Sequence, residues 1–456
     1  MSVTGTIPGA GDGAVLSDPV DGALTRGASA RWGAIQGKAL EIVTQGLLVL
    51  LLPRLLGPAG FGRLTVALAI VTLGSVAISL GAPSAFARFL PAAPAARRAG
   101  LARTMTLRLA PIRVVQLAIA AGIGSSLVLL APKRFDALDT TLVIVALAAE
   151  VAAILGAQVA LGVGRTRLWS FRSAARNAVL LLSVPFLFHL VGTQGVLYGV
   201  VLSSLAGLAC AGWSSLLLVG RAEPGVPIPE GAMRYGAVAG VSSILGQLTY
   251  RGPVLATSVL ARSAVETGFA ALAGNVAMAV MFAVREVFTV SLPELVAHWG
   301  RDREHAERVL RRLGWWVEAA FIPTALAGVL LLERGLPLVA GRQFTPAVGA
   351  LVPILMLLPL LPLPILGWQG AALRLRPEMA LTITACEAVT FIVTAVLLVP
   401  LWGALGASVA LFVAVAASSV LTAWRLPTSV TPPLLLVAGL GTLGVLALAA
   451  SLGLLR

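Results

Sequence analysis

The chain has 456 residues, of which 58% are hydrophobic and only 11% are charged, and its mean hydropathy is +0.96. Soluble domains carry about 25% charged residues, so this composition excludes a soluble protein. The net charge is +14, but the basic residues lie mostly between apolar runs, which favours a role in membrane orientation over nucleic-acid binding. The apolar runs are continuous and do not alternate with polar residues, which excludes a transmembrane β-barrel.

Glycine, proline and charged residues divide the chain into thirteen apolar runs, each long enough for a transmembrane helix at about 20 residues per crossing. Residues 1–30 are rich in glycine, alanine and aspartate and are expected to form a disordered cytoplasmic tail, not a signal peptide. The loops between the runs are short and leave no room for an extramembrane catalytic domain. The predicted spans are 33–56, 62–88, 111–131, 140–162, 172–191, 195–219, 235–260, 267–293, 315–332, 346–372, 379–399, 403–424 and 432–455.

The distribution of basic residues predicts the orientation of these spans. With the N-terminus in the cytoplasm, 23 lysines and arginines fall on the inner side and 8 on the outer side. An excess of this size follows the positive-inside rule. Thirteen spans then place the C-terminus outside the cell.

This topology predicts the result of reporter fusions. Fusions after residues 100, 170 and 305 should report the cytoplasm, because each follows a segment assigned to the inner side. A fusion after residue 137 should report the exterior. The span map is contradicted if the fusions after 100 and 137 report the same side.

The chain contains an internal repeat. Gly62 opens the second span and Gly268 opens the eighth, 206 residues later; Gly195 and Gly403 precede the sixth and twelfth spans, 208 residues apart. Two nearly equal offsets predict two homologous six-helix bundles, related by an axis along the membrane normal. The alternative is that similar glycine turns recur by chance. The predicted domains are therefore two bundles at 31–225 and 226–426, followed by one extra transmembrane helix at 427–456.

Several stretches carry a family resemblance. LLPRLLGPAGFGRL (51–64), followed by SLGAPSAFARFL (79–90), resembles the start of the polysaccharide-biosynthesis flippases. These are the O-antigen-type members of the multidrug/oligosaccharidyl-lipid/polysaccharide exporter superfamily. Three further stretches match in order, so that the resemblance covers roughly residues 30–425: YRGPVLATSVLARSAVETGFAALA (250–273), GRQFTPAVGALVPILMLLP (341–359) and LVPLWGALGASVA (398–410).

The resemblance implies a fold and a function. The two bundles would form a V around a central cleft lined by spans 1, 2, 7 and 8. A monomer in the bacterial cytoplasmic membrane would carry a polyprenyl-diphosphate-linked oligosaccharide to the outer leaflet by alternating access. H⁺ or Na⁺ would be the candidate coupling ion, and no cofactor, metal or nucleic acid is implied. The chain departs from the family at Arg251, where many members have an acidic or amide residue, and in its single extra span.

Ionisable residues inside the spans are the candidates for the substrate site, because each costs about 2.5–3.5 kcal/mol at the centre of a membrane helix. Arg251, Arg285 and Lys38 are predicted to hold the diphosphate, since guanidinium groups grip phosphate with paired hydrogen bonds. The alternatives are that Lys38 pairs with Glu41 or reaches the lipid headgroups, and that an acid neutralises Arg285.

The repeat offset adds two amides to the candidates. It relates Glu41 to Gln247 and Gln45 to Arg251, so polar positions recur one turn apart in spans 1 and 7. These faces are predicted to meet across the cleft. Glu41 is a candidate for ion coupling or for a structural ion pair. Glu150, Glu318 and Glu387 are single carboxyls in outer spans and are interpreted as packing residues.

Two other function classes remain as alternatives. A cation-coupled multidrug antiporter of the same superfamily would use an intramembrane acid in span 1 or 7, where Glu41 is the only candidate. A polysaccharide polymerase or ligase would be expected to need a large extracytoplasmic loop. No nucleophile constellation or nucleotide-binding loop is present in the sequence, which favours a non-enzyme.

Overall fold

The computed structural model describes residues 28–130, 136–163, 165–223, 225–299, 303–373, 376–425 and 431–454. These residues are helical apart from short connections. The first half contains α1 (Ala28–Ser79), α2 (Ala82–Ala92), α3 (Arg98–Leu130), α4 (Ala137–Gly162), α5 (Thr166–Val191), α6 (Thr193–Gly207) and α7 (Trp213–Arg221). The second half contains α8 (Ala232–Leu260), α9 (Ala264–Trp299), α10 (Arg303–Val339), α11 (Val348–Leu357), α12 (Pro362–Leu373), α13 (Pro377–Arg425) and α14 (Thr431–Ser451).

Two of these helices each contain two predicted spans joined at a glycine. α1 bends at Gly57, which has φ +67°, and α13 bends at Gly403, which has φ +55°. Residues with a Cβ rarely adopt such backbone angles, whereas glycine does so freely. Of the glycines that suggested the repeat, Gly403 lies at one of these bends and Gly62 lies shortly after the other.

The structure confirms the predicted fold class, an all-helical multi-pass membrane protein. Among the described residues, ten stretches are long and apolar enough to cross a membrane, and two of them, Ala39–Ser79 and Pro377–Arg425, hold two predicted spans each. α8 corresponds to the predicted seventh span and is not among the ten. Of the predicted tail, residues 1–27 lie outside the described residues, and helix α1 begins at Ala28.

The predicted tenth span, 346–372, is interrupted in the structure. α11 ends at Leu357, a 3₁₀ turn covers Leu358–Leu360, and α12 starts at Pro362. Pro359 and Pro362 lie at the interruption. Proline removes a backbone donor and clashes with the preceding turn of a helix, which accounts for the break.

The two halves meet through α1, α8 and α9, and the segment between α7 and α8 contains the predicted boundary at 225/226. At one end of the contact, a Cβ built on Gly62 would lie 2.9 Å from the backbone nitrogen of Gly268. Residues related by a two-fold axis touch each other only close to that axis. The Gly62–Gly268 contact therefore supports the proposed repeat, whose superposition stays a prediction.

Replacing Gly268 by valine is expected to hold the start of α9 away from the bend of α1. A Cβ at Gly268 would run into the backbone of Pro58, and close-packed backbones have no room to shift by that amount. A cysteine placed at the buried Phe344, with Cys210 and Cys386 replaced by serine, should then react several-fold faster with an impermeant maleimide. Gly349→Val is the matched control, because nothing lies within 4 Å of its Cβ position. Equal labelling in both variants would contradict the close contact between the bend of α1 and the start of α9.

Candidate functional site

A buried cluster of charge lies near the middle of the first half. Nη1 of Arg172 is 3.2 Å and Nη1 of Arg176 is 3.0 Å from the same oxygen, Oε1 of Glu150. Only 2% of the Glu150 side chain is exposed, against 16% and 17% for the two arginines. At the rise of an α-helix, Glu150 lies about 20 Å from one end of α4 and about 18 Å from the other. The ion-paired cluster is therefore deep in the membrane region.

Small residues bring three helices together around this cluster. A Cβ at Gly156 of α4 would collide with the backbone of Gly212, and one at Gly207 would contact both Arg172 and Arg176. Between α6 and α7 the chain forms one π-helical turn, Leu208–Gly212. Such turns occur mostly as single insertions in α-helices and often lie at functional sites. The glycines let the backbone approach the arginine stems closely and so fix their direction.

Arg251 belongs to α8, in the other half of the molecule. It lies within electrostatic range of Arg176, and its Nε has no hydrogen-bond partner among the described residues. The residue is partly exposed. Ser243 and Gln247 precede it at intervals of four residues on the same face of α8, and Oε1 of Gln247 is buried and likewise has no partner in the described part of the chain.

The predicted amide Gln45 lies on the face of α1 that contacts α5. Nδ2 of Asn177 is 3.3 Å from Oε1 of Gln45 and 3.4 Å from the hydroxyl oxygen of Thr44. Asn177 directly follows Arg176, so Gln45 belongs to the surroundings of the ion-paired cluster. Its repeat partner Arg251 contributes to the same region from α8.

The other predicted site residues lie further from this centre. Glu41 is partly buried, one turn before Gln45 on α1, and Arg285 is an exposed residue of α9. Counted along the helices, Arg285 lies about 18 Å further than Arg251 from the turn between α8 and α9. Lys38 belongs to α1, but its side chain lies outside the described residues. Gln45 therefore lies beside the ion-paired cluster, whereas Arg285 lies at another depth. That Gln247 and Arg251 join Gln45 in one site stays a prediction.

Sequence reasoning missed the role of Arg172 and Arg176. It counted both as inner-side residues near the start of the predicted span 172–191, but α5 already begins at Thr166 and both arginines lie inside it with most of their surface buried. It also interpreted Glu150 as a packing residue, whereas this carboxylate pairs with two guanidinium groups. Two arginines four residues apart at the start of an apolar run, together with an acid within the preceding span, were the available signal.

Contacts between the halves close this region at both ends. On one side the rings of Phe61 and Phe269 pack edge-on against Phe344 with centroids 6.1 and 6.0 Å away. On the opposite side a Cβ at Gly81 would collide with the backbone of Gly236 and approach that of Gly240. The two contacts lie at opposite ends of the second part of α1, which runs from the bend at Gly57 to Ser79.

The second half buries carboxyl groups of a different kind. Oε1 of Glu387 accepts a hydrogen bond of 2.9 Å from Ser418, and Tyr250, the residue before Arg251, lies within electrostatic range of Glu387. Both carboxyl oxygens of Glu318 are buried without a partner among the described residues. Across all the residues that the structure describes, no group of three or more His, Cys, Asp and Glu residues could hold a metal ion.

The arrangement is suited to binding an anion. Arg172, Arg176 and Arg251 carry three positive charges and Glu150 one negative charge, which leaves a formal excess of two. Such an excess in a partly buried region attracts a polyanion, and the planar donors of arginine match the oxygens of a phosphate.

Comparisons with known proteins identify the fold. No family model and no curated protein sequence matches the chain. Lipid II flippase MurJ, in an inward closed conformation, matches with a TM-score of 0.65 and 10% identity over 92% of both chains. An outward-facing multidrug resistance MATE family transporter of the MOP superfamily matches with a TM-score of 0.58 and 14% identity over 95% of this chain and 97% of its own.

A mutant of the Vibrio cholerae MATE transporter VcmN matches with a TM-score of 0.53 and 14% identity over 94% of this chain and 98% of its own. At these identities the likeness concerns the fold. The chain is a multi-pass membrane protein with the fold shared by these transporters.

Proposed function

We propose that this protein is a flippase that moves a polyprenyl-diphosphate-linked oligosaccharide from the cytoplasmic to the outer leaflet of a bacterial cytoplasmic membrane. The observation that carries the proposal is a group of three arginines, the arginine centre. It is formed by Arg172 and Arg176, which share Glu150, and by Arg251 of the other half, which lies within electrostatic range of Arg176. A diphosphate brings two negative charges into a region where water is scarce. The formal excess of two positive charges balances them.

The closed ends of the region support transport by alternating access. Close contacts of glycine backbones separate without breaking side-chain bonds, so that each end can open in turn. The substrate would then enter past Gly81 and leave past Gly62, with the diphosphate held between. Arg285, about 18 Å further inward than Arg251, would receive the headgroup first.

The alternative is a cation-coupled multidrug antiporter, which the likeness to MATE transporters favours. The charge of the centre argues against it, because three arginines repel a cationic drug. Glu41 is the acid of α1 that this alternative requires, and in the flippase it is a candidate for binding H⁺ or Na⁺.

Reconstitution of the purified full-length protein separates these functions. Vesicles containing a polyprenyl-diphosphate-linked oligosaccharide with a labelled terminal sugar should expose that sugar to an impermeant lectin faster with the protein than without it. Ethidium, a cationic drug, should not accumulate in the same vesicles under an imposed proton gradient. Drug movement without lipid movement would overturn the proposal in favour of the antiporter.

A further inference from the structure

A basic groove lies outside the arginine centre, where the segment between α7 and α8 folds over the first part of α3. This groove has a volume of about 550 Å³ and is lined by Thr104 and Arg108 of α3, residues 225–229 of the connecting segment, and Met233 and Arg234 of α8. Its volume lies within the range of about 300–1,000 Å³ that small-molecule sites occupy. We refer to it as the linker groove.

The wall of the linker groove is held in place by specific contacts. The guanidinium of Arg103 donates a hydrogen bond to the carbonyl of Ala222. Gly100 lets the segment lie against α3, since a Cβ there would be 2.9 Å from the carbonyl oxygen of Glu223. Val226 and Ile228 pack on the apolar cluster between α2 and α3. The groove is therefore a packed feature of the fold.

The lining combines two cations with apolar surface. Arg108 and Arg234 are both exposed, no lining residue is acidic, and proline, valine, isoleucine and methionine form most of the remainder. A ligand that fits these walls has a phosphate for the two guanidinium groups and an apolar part for the rest.

The groove also lies beside the lipid-facing surface of α3. Leu107 is 58% exposed, and Ile112, Val114 and Val115 continue this apolar surface directly after Arg108. Exposed aliphatic residues on a membrane helix face acyl chains, whereas Arg108 marks the level of the headgroups. A phospholipid in that leaflet places its phosphate at this height.

We infer that the linker groove binds the headgroup of an anionic phospholipid, with Arg108 and Arg234 as its phosphate ligands. The two arginines belong to different halves of the molecule, so the bound phosphate joins the halves. The adjacent contact between them includes Phe89 of α2 and Tyr235 of α8, whose ring centroids are 5.9 Å apart. Lipid bound at the groove thereby stabilises the closed arrangement of α2 and α8, whatever substrate the protein carries.

Native mass spectrometry of the purified full-length protein tests the binding. Phosphatidylglycerol should bind more tightly than phosphatidylcholine, and Arg108→Gln with Arg234→Gln should weaken phosphatidylglycerol binding roughly thirtyfold. The matched control removes two exposed arginines elsewhere, Arg165→Gln with Arg376→Gln, and should keep the affinity. An equal loss in the control, or binding of inorganic phosphate as tight as that of phosphatidylglycerol, would overturn the inference.

Cross-linking tests the conformational consequence. Cysteines at Phe89 and Tyr235, in a background without Cys210 and Cys386, should cross-link faster in vesicles as the phosphatidylglycerol fraction rises. The variant with Arg108→Gln and Arg234→Gln should lose this dependence. A dependence that persists in the variant would contradict the role of the groove.

Discussion

Replacement of Arg251 by alanine is expected to abolish export of the surface polysaccharide while leaving the protein folded in the membrane. Arg251 has no carboxylate partner among the described residues and lies close to the like charge of Arg176. Its removal therefore breaks no ion pair and relieves a repulsion, so the midpoint of thermal unfolding should stay equal or rise. Loss of charge-assisted hydrogen bonds to a diphosphate should slow lipid transport about a hundredfold or more.

Further variants separate the contributions of Arg251 and Arg285 to transport. Arg251→Lys should restore little transport if paired hydrogen bonds matter and more if charge alone suffices. Arg285→Ala should also abolish export if the substrate meets that residue first. The control Arg262→Ala should transport normally, because Arg262 is an exposed residue just after the end of α8. Normal export in the double variant with Arg251→Ala and Arg285→Ala, at wild-type protein level, would remove both residues from the mechanism.

The fold was predictable because its signal is spread over long segments. Each of its features reflects a strong effect on the backbone or on solvation. They are the thirteen apolar runs, the glycines at the two sharp bends and the prolines of the tenth span. The bends at Gly57 and Gly403 leave almost no loop, yet the glycine itself marks the turn. Such features do not depend on which helices are neighbours.

The site was predictable only in part, because it depends on contacts between distant segments. The repeat singled out Gln45 and Arg251 as polar positions of α1 and α8, and their place in one substrate site stays a prediction. It gave no way to know that Glu150 lies beside Arg172 and Arg176, since that pairing requires the close approach at Gly156, Gly207 and Gly212. Arginines at the start of a span look like positive-inside residues until their buried partner is known.

The Glu150 ion pairs give the largest expected effect on stability. Glu150→Gln should lower the free energy of unfolding by about 3 kcal/mol, because it leaves two buried guanidinium groups without their shared counter-charge. The double variant with Glu150→Gln and Arg176→Gln restores the net charge and should recover part of that loss. The measurement is thermal unfolding of the purified protein.

Glu387→Gln is the matched control for this experiment. Glu387 is also buried, but its partner is the neutral hydroxyl of Ser418. The amide oxygen of glutamine can accept the same hydrogen bond, so the substitution should cost less than about 1 kcal/mol. Equal destabilisation by both substitutions would show that burial, not the ion pairs, determines the effect.

The same substitution predicts a change in ligand binding, because Glu150→Gln adds one uncompensated positive charge to the arginine centre. A diphosphate-linked lipid should therefore raise the unfolding midpoint of this variant more than that of the wild type. An equal rise would place the ligand away from the three arginines.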